Sequence, residues 1–359
     1  MDKKMLELYS DFLIASTSLA TATALSEITD YQISHDKVTR FLSKEDYSQS
    51  DYWKLIKPIV RDIEREDGVI CIDDTIEHKP YTDENDIVCY HYDHVSGKSV
   101  KGMNLLTLFY SGAMALPLRY EIIKKDEHYT NDEGKACRRS KKTKNELFQE
   151  MLHAVCFSNH IRFRYVLGDS WFASSDTMKY IHRKLKKQFI FAMKSNRMAA
   201  LCQEDKLQGK FIPLSQIKST PDEVTPVWIK GLDIPLILAI QHFENEDGSS
   251  GTLYLVSNDS ALDFDDIVDL YHKRWKIEEY HKSMKQNASL EKSPTKVVRT
   301  QSNHIFASIY AYVKLELLRV KTSLNHFALK SKIYIKALKS AMNEIYLLRH
   351  QPDICLVGA

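Results

Sequence analysis

The period of the apolar residues changes once, near residue 69, and that change limits the folds open to this chain of 359 residues. Through residues 1–66 apolar side chains recur at helical spacing, first in "LYSDFLIASTSLATATAL" and again in "YWKLIKPIVRDIERE". "GVICIDDT" then gives a short β-branched and apolar run that stops in two acids. It predicts a buried strand whose carboxyl end opens into a site. "DIVCYHYDHVSGKSVKGMNLLTLFYS" predicts two strands about a turn at Ser96-Gly97-Lys98. After it come an amphipathic helix ("NELFQEMLHAVCFSN"), a strand ending in an acid ("RFRYVLGDSWFAS"), a helix ("DTMKYIHRKLKK") and a strand ("QFIFAMK").

Strand, hairpin, helix, strand, helix, strand is the order of a ribonuclease H-like core: an α/β fold with a mixed sheet and helices on both faces. Between residues 195 and 258, short strands ("VWIKG", "IPLILAIQHF", "GTLYLVSN") alternate with polar loops and predict an antiparallel insertion subdomain. The helical period then returns in "DFDDIVDLYHKRWKIEEYHKSMKQ", which has no Gly or Pro and starts with acids, and in "NHIFASIYAYVKLELLRVK" and "KIYIKALKSAMNEIYLLRH". The expected division is therefore a helical region 1–66, the first part of the core 67–194, a mostly β insertion 195–258, a helix completing the core 259–290, and a helical tail 291–359. Inside the first region, "ALSEITDYQISHDKVTRFLSKE" outlines a helix-turn-helix, with Ser34 as N-cap of a second helix carrying His35, Lys37, Thr39 and Arg40. Such outlines are common in helical bundles, so DNA contact there is the minority reading.

Charge restricts the partners. Fifty Lys and Arg nearly cancel 48 Asp and Glu, so any nucleic-acid surface must be a local patch. "KACRRSKKTK" supplies one, with Arg138, Arg139, Lys141 and Lys142; its bland alternative is a solvated loop. Only 11 glycines occur, with neither a dinucleotide fingerprint nor a phosphate loop, which removes nucleotide-driven chemistry. Apolar runs such as "IPLILAI" are too short to span a bilayer, and Glu7 and Asp11 interrupt any signal-peptide core. Six scattered cysteines without a CxxC pair fit a reducing compartment, so a soluble cytoplasmic protein is expected.

The chemistry is carried by acids at three separated places: Asp73-Asp74, Asp169, and Glu278 or Glu279. On a continuous helix, Tyr271, Arg274, Glu278 and Lys285 share a stripe roughly 60° wide, whereas Glu279 lies about 100° from Glu278. One acid after a strand is an ordinary turn residue, and Arg274 with Glu278 is an ordinary i,i+4 surface pair. Together, carboxylates from two strands and a helix suit two hard divalent ions in phosphodiester chemistry.

The pattern Y-x2-R-x3-E-x6-K in Tyr271, Arg274, Glu278 and Lys285 resembles the YREK signature of the insertion-sequence DDE transposases of family four. "IDDT" at 72–75 and "VLGDSWFAS" at 166–174 resemble that family's two aspartate motifs. The resemblance implies Asp74, Asp169 and Glu278 as catalytic metal ligands for two Mg²⁺ ions, with Mn²⁺ able to substitute. It implies Tyr271, Arg274 and Lys285 as contacts to DNA phosphates, and Trp228, or else Trp171, as a platform for a flipped base. Asp73 should face away from Asp74 on an extended strand. The implied activity is cut-and-paste transposition on double-stranded DNA: terminal inverted repeats and a target, handled by a homodimer in a bacterial, nucleoid-associated setting. The alternative is a catalytically silent, transposase-derived DNA-binding regulator.

Two other readings are weaker. "GDS" at 168–170 with Asp269 and His272 imitates an esterase triad, but both partners fall in a charged helix and no glycine-rich oxyanion segment exists. Cys89, His91 and His94 imitate a zinc set, but alternation puts His94 on the other strand face.

Overall fold

The computed structural model describes residues 2–44, 46–93, 96–218, 220, 222–244 and 248–350. The chain divides into two compact units. One comprises Asp46–Lys282 with Thr295–Ser302; the other comprises Met1–Glu45, Ser283–Pro294 and Asn303–Ala359. None of the described helices is long and apolar enough to cross a membrane.

In chain order the helices are α1 (Lys3–Ala15), α2 (Ala22–Ile28), α3 (His35–Lys44), α4 (Gln49–Ile63), α5 (Lys144–His153), α6 (Ser175–Lys179), α7 (Gln203–Leu207), α8 (Phe264–His272), α9 (Trp275–Gln286), α10 (Val298–Thr322) and α11 (His326–His350). The strands are β1 (Val69–His78), β2 (Cys89–Asp93), β3 (Lys98–Ser111), β4 (Leu116–Ile122), β5 (Glu127–Thr130), β6 (Ala136–Arg139), β7 (Tyr165–Gly168), β8 (Gln188–Met193), β9 (Met198–Ala200), β10 (Ile212–Pro213), β11 (Val224–Ile229), β12 (Leu236–Glu244) and β13 (Ser250–Ser257).

The larger unit is built on one mixed sheet of eleven strands among the described residues. Its centre runs β4-β3-β1-β7-β8, with β3 antiparallel to β1 and to β4, and with β1, β7 and β8 parallel. That is the expected ribonuclease H-like core, and where β1 and β7 run side by side they are buried: Val69 to Ile72 and Tyr165 to Gly168. The expectation that β1 stops at the acids is corrected. Antiparallel pairing carries it on to His78 opposite Gly102, while parallel pairing with β7 ends at Cys71 opposite Leu167. Asp73 and Asp74 thus stand just past the point where the parallel neighbour ends.

Gly168 makes that geometry possible. A Cβ there would lie 2.7 Å from the Phe191 ring and 3.0 Å from Ile72, so only glycine lets β7 pass between β1 and β8 and deliver Asp169. Gly168→Ala is expected to cost about 1–3 kcal/mol through overpacking. A fall in the midpoint of urea unfolding, read by far-UV circular dichroism, checks it; an unchanged midpoint would mean the neighbours give way freely.

Residues 195–258 are β-rich and antiparallel, but they do not form a separate sheet. β13 pairs with β8, and β12, β11, β9 and β10 follow outward. The outer edge of β8 would otherwise leave a row of backbone groups unpaired, and the insertion covers it.

In the smaller unit the α2–α3 outline is as expected. Asp30 (φ 48°) and Tyr31 (φ 60°) make the left-handed turn, and Ser34 Oγ accepts from Lys37 N at 3.3 Å. His35, Lys37, Thr39 and Arg40 are exposed, whereas Val38, Phe41 and Leu42 face the core. Buried polar ties close this unit: Asn303 Nδ2 donates to Leu42 O (2.8 Å) and Ser289 Oγ to Leu13 O (2.7 Å). The predicted helical region 1–66 is divided, since α4 belongs to the larger unit.

Candidate active site

Strand alternation separates the two acids of β1. Asp73 stands opposite Thr107 and Asp74 opposite Leu106, so their side chains leave on opposite faces of the sheet. On the Asp74 face, Oδ2 accepts from Asn104 Nδ2 at 2.7 Å and from Lys144 Nζ, at the start of α5, at 2.7 Å. On the Asp73 face lies α9, where the Tyr280 ring packs on Phe109 with centroids 5.1 Å apart. There Asp73 Oδ2 is 3.7 Å from Arg274 Nη1 and 4.0 Å from His281 Nδ1. Burial pushes the Asp73 carboxyl up to about 7; Arg274 opposes that shift, while the charges of Asp169 and Asp74 add to it.

Asp73 therefore shares a face with Arg274 and feels the charge of Asp169, whereas the expected Asp74 leaves on the face of Asn104 and Lys144. Asp169 follows β7 directly, and its Oδ1 accepts from Trp171 N at 2.9 Å, which fixes the carboxylate at the strand end.

Arg274 owes its position to a break that the sequence did not announce. The predicted continuous helix is two helices: α8 ends at His272 and α9 starts at Trp275. Between them the backbone tightens to i→i−3 bonds, from Arg274 N to Tyr271 O (2.9 Å) and from Ile277 N to Arg274 O (3.0 Å). The carbonyl of Lys273 keeps only a long i→i−3 bond from Lys276 N (3.3 Å), and Ser111 Oγ at the end of β3 donates to it at 2.9 Å. Arg274 is thus pinned to the sheet through the neighbouring carbonyl, with its guanidinium 5.7 Å from the Tyr271 ring centroid. Its Nη2 donates to Glu278 Oε1 at 2.6 Å. Although burial works against it, Tyr271, Asp73 and Glu278 hold Arg274 above its usual range, firmly charged. Tyr271 is buried, which pushes its phenol up, and its hydroxyl lies 3.4 Å from Gly168 O. Glu279 points elsewhere: it is exposed and paired with Lys276 at 2.8 Å.

The other expected residues are not gathered here. Lys285 falls in the smaller unit and pairs with Glu291 at 3.5 Å. Trp228 sits on β11, with β12, β13 and β8 between it and β7, four strand spacings or on the order of 19 Å away. It is a half-buried strand residue, whereas Trp171, two residues past Asp169, is 46% exposed. The basic run is neutralised where it stands: Arg139 pairs with Glu127 (2.8 Å), Lys141 with Asp126 (3.3 Å), Lys142 with Glu150 (2.6 Å), and Arg138 lies 4.0 Å from Glu84. Of the imitated zinc set, Cys89 Sγ donates to Asn85 O and His91 is buried; His94 lies outside the described residues. His281 went unnoticed in the sequence. Its spacing of three from Glu278, which puts both on one helix face, was the available signal.

Among the described residues no group of three or more His, Cys, Asp or Glu is gathered closely enough to hold a metal ion. The donors nevertheless fit one in kind. Asp73 is a desolvated carboxyl repelled by Asp169, a cost that a divalent cation would offset, and oxygen donors suit Mg²⁺ or Mn²⁺.

A ribonuclease H-like sheet with an acid in β1, an acid after β7 and a third on a following helix is the arrangement expected of a carboxylate-bearing polynucleotide nuclease. Comparison with known families agrees: residues 2–210 match the family described as "DDE superfamily endonuclease", and residues 118–332 match "Archaeal putative transposase ISC1217". The first match contains Asp73, Asp74 and Asp169; the second contains Asp169 and Glu278. The chain belongs to the DDE superfamily of transposase-like endonucleases. A comparison with curated proteins found no match.

Proposed function

We propose that this protein is a metal-dependent DNA transposase of the insertion-sequence type, in which Asp73, Asp169 and Glu278 are the three acids of the site. The observation that carries this reading is the Asp73 face: a half-buried carboxyl raised to about 7 beside the charge of Asp169, with Arg274 reaching from it to Glu278. Divalent cations, when bound, would activate the attacking oxygen and stabilise the leaving one. The residues' own work is to present oxygen donors and to orient the phosphate. The guanidinium of Arg274, on its pinned turn, is suited to grip a phosphate oxygen. His281 stands near enough to Asp73 to exchange a proton through one water.

Chemically, water would attack the phosphorus at a transposon end, forming a new P–O bond as the 3′-oxygen leaves and takes up a proton. The freed 3′-hydroxyl would then attack a target phosphorus and displace a target 3′-oxygen, with no covalent protein intermediate. Two paired ends call for two sites, so a homodimer on DNA is the expected working form. The exposed α3 residues and the basic β5–β6 hairpin are the surfaces proposed to follow DNA. Exposed ion pairs such as those of Arg139 and Lys142 are worth little and exchange readily for phosphate.

On this reading short inverted repeats flank the gene, and a duplex carrying one is the substrate for the test. Incubated with such an end and Mg²⁺ or Mn²⁺, the protein should nick one strand to leave a 3′-hydroxyl. Specific binding without nicking would instead establish the regulator.

A further inference from the structure

Arg274 faces two of the three proposed metal ligands at once, and the chain is built to keep it there. Its Nη2 is 2.6 Å from Glu278 Oε1 and its Nη1 is 3.7 Å from Asp73 Oδ2. Arg274 is 18% and Asp73 20% exposed, so that pair interacts through poorly solvated space, while Glu278, 38% exposed, meets the guanidinium nearer to water. Ser111 fixes the turn beneath it, and Tyr271 covers the guanidinium. In this arrangement the guanidinium supplies the positive charge that a divalent cation would otherwise supply to the same pair of carboxylates.

We infer that Arg274 is the resident counter-cation of the free protein, competing with divalent metal for Glu278 and Asp73, so that drawing Arg274 onto a DNA phosphate raises the affinity of the site for metal. The inference rests on the proposed assignment of Asp73 and Glu278. An anion that takes the guanidinium releases Glu278, and linkage makes the effect reciprocal: metal on the carboxylates frees Arg274 for phosphate. Activity would then favour DNA-bound protein, because an arginine drawn onto phosphate leaves the two carboxylates more open to metal.

The test is Mn²⁺ binding to the full chain without DNA, read from the loss of the free-ion paramagnetic resonance signal, so that no turnover is involved. Arg274→Gln should bind Mn²⁺ about tenfold more tightly than wild type. Arg274→Lys retains the charge but not the fork and should fall between them, which also guards against misfolding of the Gln variant. Lys144→Gln is the control: it deletes a cation 2.7 Å from Asp74 on the opposite face and should change Mn²⁺ affinity less than about threefold. Equal or weaker binding by Arg274→Gln, or equal tightening by Lys144→Gln, would overturn the competition while leaving the metal site standing. If no variant binds Mn²⁺, or if Asp73→Asn binds it as wild type does, the proposed function fails with it.

Discussion

Glu278→Gln is expected to reduce strand cleavage of an end duplex in Mg²⁺ by roughly a thousandfold or more, with end binding changed by no more than a few-fold. The amide keeps the shape and can still accept one hydrogen bond from Arg274, but it lacks the charge a divalent cation needs. Glu279→Gln should leave cleavage within about threefold of wild type, because that carboxylate is exposed and pairs only at the surface with Lys276. Product yields on a sequencing gel and mobility-shift titrations of the same preparations separate the two effects. Equal losses in the two variants would mean the helix face has been misread.

The second large effect is on stability, and its sign is opposite. The folded-state carboxyl of Asp73 is raised to about 7, so between roughly pH 4 and pH 7 the native state holds a proton that the unfolded chain releases. On this group's account the unfolding free energy falls as pH rises through that window, and the favourable contribution is present in full only below the unfolded value near 4. Asp73→Asn removes the term, so metal-free variant should be more stable than wild type at pH 8 by about 2–4 kcal/mol, with the gap closing toward pH 4. Urea denaturation in chelator at several pH values measures it. A variant less stable at pH 8 would mean that the Arg274 contact outweighs the burial and repulsion.

The parts of this site that depend on local pattern were legible in the sequence. Apolar runs ending at Asp73-Asp74 and at Asp169 marked the two inner strands, and helical spacing chose Glu278 over Glu279 for the Arg274 pair that forms. What local pattern left open was set by partners distant in the chain. Alternation shows that Asp73 and Asp74 face opposite ways, but which face meets α9 depends on how β3, more than 30 residues on, brings Phe109 beneath Tyr280. The break at Lys273 has no glycine or proline to announce it; it is held by Ser111, 162 residues away. Residues 195–258 have the composition of a free-standing antiparallel unit, and only the unpaired edge of β8 makes them part of the main sheet. The resemblance pointed to Trp228 as an aromatic in the insertion, and β11 places it beyond β13 and β12 from β8.

The most direct test compares Asp73→Asn with Asp74→Asn in one cleavage assay on the same end DNA, with Mg²⁺ and with Mn²⁺. With Asp73 in the site and Asp74 held by Lys144 and Asn104 on the other face, the first variant should lose cleavage by roughly a thousandfold or more and the second should stay within about tenfold of wild type. Loss of cleavage in Asp74→Asn with activity retained in Asp73→Asn would contradict the account at its centre.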